Sequence, residues 1–342
     1  MKMIGVLHVC MNKKSYWSII LLAWIVFFGV AAIFSLDYSR PRETIIFGAT
    51  FSQKYARYSL GLNWQEAYNA LLNDMGFKEL RLMTYWDDGE PERGSFNFSD
   101  TDWMLGEAYK HNVDINLVVG MRQPRWPECH IPGWARQLSK EERDKALLTY
   151  VKKTVERYKN NPGLVRWQVE NEPLLEFFGE CEPMDKTLLK KEIQLVQSLD
   201  PAHPVFTTAS GELDNWNDMT EFSDMVGVSL YRIISKRIIG TVYYPLPPAF
   251  YAWRAAFSPK QTTLFISELQ AEPWTVPSIQ NVPLETQLKH MNAKKLEDHV
   301  NFAVATGFDR IWLWGVEWWY WLKVNKQHPE VWDVAKTLFP KE

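Results

Sequence analysis

A chain of 342 residues with a formal net charge of −3 has room for one large domain, and α/β barrels commonly run to about 250 residues as a single unit. Acidic and basic residues are spread evenly, with no basic block or acidic tail, which argues against a nucleic-acid partner. The seven histidines lack paired-ligand spacing and no GxSxG elbow occurs, so neither a metal site nor a serine nucleophile is expected, and no cofactor is implied.

The first element is a charge-free stretch, Ser15 to Leu36, that includes Ile19, Leu21, Trp24, Ile25 and Phe28. About 20 apolar residues span a bilayer, whereas the apolar region of a signal peptide is nearer 7–15 residues, so 15–36 is expected to be one N-terminal transmembrane helix and signal anchor. Lys13 and Lys14 favour a cytoplasmic tail over 1–14, which places the rest outside the cytoplasm as a single-pass protein of the cell membrane. Small residues near Val30 and Ala32 leave secretion after cleavage as the alternative. Residues 37–44 read as a short tether, and 45–342 as the main domain. Cys10 would be cytoplasmic, which leaves Cys129 and Cys181 as a candidate disulfide in an oxidising compartment, the alternative being two free thiols.

From residue 45 the chain alternates short β-branched runs with amphipathic helices. Strands are predicted at Ile45–Ala49, Glu79–Met83, Ile115–Val119, Val165–Val169, Val205–Thr208, Met225–Ser229, Leu264–Ile266 and Arg310–Trp314. Helices are predicted from Trp64 to Met75, from a Ser99 cap to His111, and from a Ser139–Glu142 capping box toward Lys159. Two more are expected, one capped by Asp185 and one running from about Glu285 to Gly307. Eight strand–helix units predict an α/β fold of the (β/α)8 TIM-barrel class. The competing doubly wound sheet is disfavoured because the first turn, Phe47-Gly48-Ala49-Thr50-Phe51, has no phosphate-binding glycine pattern.

In a barrel the catalytic groups sit at the C-terminal ends of the strands. The fourth strand ends Val169-Glu170-Asn171-Glu172-Pro173 and the seventh ends Ile266-Ser267-Glu268, each putting a glutamate where a side chain can face the central cleft. Two facing carboxyls are what glycosidic cleavage needs, one protonated to donate and the other ionised to attack. Seventeen tryptophans and 14% aromatic residues suit the C–H faces of sugars, though an aromatic-rich core would look the same.

The Asn171-Glu172-Pro173 motif after the fourth strand, with Glu268 on the seventh, resembles the clan A glycoside hydrolases, in the cellulase-like group. The resemblance runs over about 45–340. It implies a retaining hydrolase of β-linked oligo- or polysaccharide, with Glu172 as acid/base, Glu268 as nucleophile and Asn171 holding the sugar 2-hydroxyl. It further implies that Tyr231 hydrogen-bonds the nucleophile, that Arg81 lies close to it, and that a tryptophan sits under the reacting sugar. Trp314 best matches that place, with Trp312 and Trp318 as alternatives. Two departures are Ser229, where the clan often has a histidine, and a third loop without the clan's histidine near the strand end.

On that loop Arg122, Gln123, Trp126 and His130 are candidate substrate contacts, and the second loop offers Trp86. A rigid structural loop is the competing reading. Glu170 lies deeper than Glu172 and is expected to be an ion-pair partner, while Glu317 is the runner-up for a catalytic or substrate-binding role. A transglycosylase would use the same pair, and a non-catalytic, membrane-tethered glycan-binding protein is the reading from another class.

Overall fold

Eight parallel strands close into a barrel. They are β1 (Ile46–Phe51), β2 (Glu79–Met83), β3 (Asp114–Val119), β4 (Leu164–Val169), β5 (Val205–Ala209), β6 (Met225–Leu230), β9 (Thr263–Gln270) and β10 (Arg310–Trp314). An antiparallel hairpin not anticipated from the sequence, β7 (Ile233–Lys236) with β8 (Gly240–Tyr243), rises from the end of β6. Around the barrel the order is β1-β10-β9-β6-β5-β4-β3-β2. This computed structural model describes residues 13–236, 240–259, 261–275 and 278–341, the side chains of 13–16, 26, 27, 30 and 236 excepted.

Local chemistry accounts for the helices. Asn63 accepts from the backbone N–H groups of Gln65 and Glu66 and starts Trp64–Asp74, and the Ser139–Glu142 capping box starts Lys140–Tyr158. Asp185 caps Lys186–Leu199 through Thr187 N. Ser99 is not a cap but the first helical residue of Ser99–Lys110, with Asn97 Oδ1 accepting from its N–H. The long helix expected up to Gly307 is two, Leu284–His290 and Ala293–Val304, broken where Met291 turns extended and Asn292 caps the second through Lys295 N.

Side chains alternate along each strand, so half pack outward on the helices and half fill the barrel. The floor is polar: Glu79 accepts from Arg166, Arg310 and Trp312 Nε1 at 2.9–3.0 Å. Above it Phe206, Phe265 and Trp312 form an aromatic plug. Gly48 is required here, because a Cβ would stand 2.5 Å from Trp312 Cδ1. The next layer upward, Arg81, Gln168 and Glu268, opens onto the C-terminal mouth.

Among the described residues no helix is long and apolar enough to cross a membrane, so the transmembrane anchor and bilayer contact expected over 15–36 are not supported. The helix present there, Lys13–Ser35, ends against the barrel, with the ring of Phe34 6.4 Å from that of Trp253. Nor do residues 37–44 hang free as a tether. Arg40 Nε donates to Gly307 O (2.5 Å) and Arg42 Nη2 to Leu338 O (2.9 Å), which draws the segment onto the domain. Residues 1–12 of the expected tail, Cys10 included, lie outside the described residues.

Candidate active site

Backbone irregularities aim both glutamates of the pair. Opposite β9 the register slips by one residue on each side, between Val228 and Ser229 of β6 and between Ile311 and Leu313 of β10. Phe265 points into the barrel and Ile266 out of it, so strict alternation would turn Glu268 outward. The bulge at Ser267–Glu268 turns it inward instead. At the end of β4, Glu170 and Glu172 both have positive φ, 58° and 42°. Such non-glycine positions cost of order 1–3 kcal/mol each and persist only where the surroundings hold them. Here Glu170 accepts from Met121 N (2.9 Å) and Arg122 N (2.6 Å), and Glu172 N donates to Thr208 Oγ1 (2.8 Å).

The two glutamates have opposite surroundings. Glu268 Oε1 accepts from Arg81 Nη2 (2.7 Å) and Oε2 from Tyr231 Oη (2.9 Å), so a guanidinium and a phenol hold both of its oxygens. Arg81 is fully buried and also donates to Thr50 Oγ1 (2.8 Å), so its fork is fixed. Among the described residues no cation pairs with Glu172, and its Oε1 is buried without a partner. Burial, and then the charge of Glu268, push its carboxyl well above the usual range, against the opposing effect of the Ser229 hydroxyl. One carboxyl is thus paired with a buried cation, while the other has no such partner among the described residues and is pushed toward its protonated form. Asn171, which precedes Glu172 in the chain, is locked: Oδ1 accepts from Thr208 Oγ1 (3.1 Å) and Gln168 Nε2 (3.2 Å), and Nδ2 donates to Glu128 Oε2 (3.1 Å).

Several residues expected to touch substrate are placed elsewhere. Trp86 is fully buried, donates to Glu90 Oε2 (2.9 Å) and stacks on Tyr150, so it belongs to the core. Arg122 spends its guanidinium on the carbonyls of Asn171, Leu175 and Phe178 and so shapes the fourth loop. Gln123 braces the second loop, accepting from Thr84 N and donating to Gly120 O. His130 is 1% exposed, stands against Arg125 O, and is pushed down to about 4 by burial, so it is neutral. Glu317 is buried, accepting from Ser52 N and Arg125. Glu170 is held by backbone N–H groups, and among the described residues it forms no ion pair.

Of the third-loop residues named, Trp126 is the one in the open, 63% exposed at the mouth. Trp314 is the tryptophan beside the pair, with Arg81 5.8 Å from its ring centroid. Trp312 bonds the floor through Glu79, and Trp318 bonds Gln287 within the core. Cys129 and Cys181 are disulfide-bonded, with Cα atoms 5.4 Å apart, tying the third loop to the fourth.

Two residues at the mouth were not singled out from the sequence. Glu128 is buried beside Asn171 and is raised to about 7, first by burial and then by Glu268. Arg125 lies between the rings of Tyr55 and Trp314 and pairs with Glu272 and Glu317. Both have positive φ, 71° and 95°. No short-range pattern marks them, since their partners are distant in the chain. Among the described residues no group of His, Cys, Asp or Glu could hold a metal ion.

Residues 48–182 match the model of Glycosyl hydrolase family 10, less than half of the chain. Among solved structures, native xylanase 10B from Thermotoga maritima is similar at 16% identity and a TM-score of 0.56, over 80% of this chain and 84% of that one. GH5_18 from Bifidobacterium longum subsp. longum is similar at 14% identity and a TM-score of 0.57, over 79% of this chain and 69% of that one. A β-galactosidase from the psychrophilic Marinomonas ef1 is similar at 12% identity and a TM-score of 0.55, over 79% of this chain and 54% of that one. No curated protein matches. The likeness to these structures carries the barrel fold. With the family match it bears out the resemblance to the cellulase-like clan A glycoside hydrolases, and the chain is an O-glycosyl hydrolase of that retaining type.

Proposed function

We propose that the chain hydrolyses β-linked glycans by double displacement, with Glu268 as nucleophile and Glu172 as acid and then base. The observation that carries this is the asymmetry of the pair: Glu268 bound by Arg81 and Tyr231, Glu172 buried without a counter-ion among the described residues. In the first step Glu268 attacks the anomeric carbon while Glu172 passes its proton to the departing oxygen, leaving a glycosyl ester on Glu268. In the second, Glu172 takes a proton from water, the hydroxyl adds to the same carbon, and the Glu268 carboxylate leaves. Asn171, its amide nitrogen turned by Glu128, would hold the 2-hydroxyl through both steps. The bound Cys129–Cys181 pair supports an oxidising location outside the cytoplasm.

The test is to trap the full-length protein with 2-deoxy-2-fluoro aryl β-glycosides of glucose, mannose, xylose and galactose, then sequence the labelled peptide. The peptide containing Glu268 is expected. A label elsewhere sinks the assignment.

A further inference from the structure

We propose that the cleft is closed on its glycone side by a wall built around Arg125, so that the enzyme removes single sugars from non-reducing ends. This deepens the retaining-glycosidase reading and rests on it.

The strand order sets the direction. In the closed ring β10 stands diametrically across from β4. With Glu172 as the acid at the end of β4, the bond to be cut lies beside Glu172. The sugar that passes to Glu268 therefore extends away from it, toward β10. There the guanidinium of Arg125 lies 3.7 Å from the ring centroid of Tyr55 and 4.1 Å from that of Trp314. Its nitrogens pair with Glu272, which follows β9, and with Glu317 Oε2 (2.6 Å), which follows β10. Arg125, Glu272, Glu317 and Trp314 are each under a tenth exposed.

Arg125 thus fills the space between Trp314 and Tyr55, beyond the reacting sugar, where a second glycone sugar would have to lie, having crossed the mouth from the third loop to reach it. A longer glycone would have to displace the cation and leave two buried carboxylates unpaired, which is strongly unfavourable. The wall is also anchored. Glu317 Oε1 accepts from Ser52 N at 2.5 Å, His130 Nε2 meets Arg125 O at 3.1 Å, and the disulfide holds the loop four residues on.

The experiment uses the full-length protein on reducing-end-labelled β-1,4-linked pentasaccharides of glucose, mannose and xylose, with aryl β-monoglycosides in parallel. Expected are a labelled tetrasaccharide as the first product, shorter labelled species only after it, and free monosaccharide as the early unlabelled product. Labelled mono- to trisaccharide at the outset, with the monoglycosides still turned over, overturns the wall and leaves the double displacement standing. No turnover of any glycan overturns both. The triple variant Arg125→Ala, Glu272→Gln, Glu317→Gln removes the cation together with both charges. If it folds, judged by circular dichroism, the ratio of disaccharide to monosaccharide released should rise at least about tenfold, the discrimination that one favourable subsite interaction supplies. A folded variant that still releases only monosaccharide also overturns the proposal, and if the variant does not fold the wild-type product order decides.

Discussion

Tyr231→Phe separates the two chemical steps. The substitution removes one hydroxyl and leaves the ring where it is, packed edge-on to Trp274 at 5.0 Å and 86°. Burial and the neighbouring Glu268 hold the phenol well above its ordinary pKa, so in the native protein it is a donor throughout the working range. Its 2.9 Å bond to Glu268 Oε2 is charge-assisted and contributes about 1.5–3 kcal/mol when the carboxylate bears its full charge. In the attacking step that charge is being spent, so removing the donor does not raise the first barrier. In the second step the carboxylate is the leaving group and charge returns to it. If about half the bond is realised in that transition state the loss is about 0.7–1.5 kcal/mol, or about 3–12-fold, with about 150-fold as the ceiling for the whole bond. On an aryl glycoside with a good leaving group, kcat should therefore fall by this factor while kcat/KM changes little, and stopped-flow should show a burst of released phenol. Equal falls in kcat and kcat/KM without a burst would refute the reasoning, as would an unchanged kcat.

Glu172→Ala should lower turnover of natural glycans by about 10²–10⁴-fold and of activated aryl glycosides much less, because a good leaving group needs little protonation. Azide should restore the variant and give a β-glycosyl azide by NMR, while an α-configured product would count against retention. Glu128, Glu170 and Glu212 are each raised by burial from 4.5 to about 7. Folded-state pKa values above the unfolded ones mean that their stability is full below about pH 4.5 and is lost as pH rises to about 7. Calorimetric Tm should thus be higher at pH 5 than at pH 8, and Glu192→Gln, which removes the buried carboxyl beside Glu170, should narrow that difference; an unchanged gap argues against this source. Replacing Cys129 and Cys181 by serine opens a link across 52 residues of sequence and should lower urea stability by about 2–4 kcal/mol, an outcome that unchanged stability would contradict.

The chemistry of the pair was legible because it depends on short patterns. Asn171-Glu172-Pro173 and Ser267-Glu268 each follow an apolar run, and in a parallel barrel the ends of runs converge on one mouth. Capping residues such as Ser139 and Asp185 act within four residues, so those helix starts could be read directly, whereas the break at Met291 could not.

Tertiary structure decided everything that depends on which side a residue faces. Period-two alternation predicts that Glu268 points outward, and only the bulge, set by the two neighbouring strands, turns it in. Arg122, Gln123 and His130 were credible substrate ligands by type, but unpaired backbone groups of the adjoining loops claim them first. Arg125 could not be found from sequence at all, because its carboxylates lie 147 and 192 residues away. Sequence alone thus determined that two glutamates stand at the ends of strands on one rim of the barrel. The folded chain decided that both face the cleft, which of them is paired with a buried arginine, and how much of the cleft around them is left for a sugar.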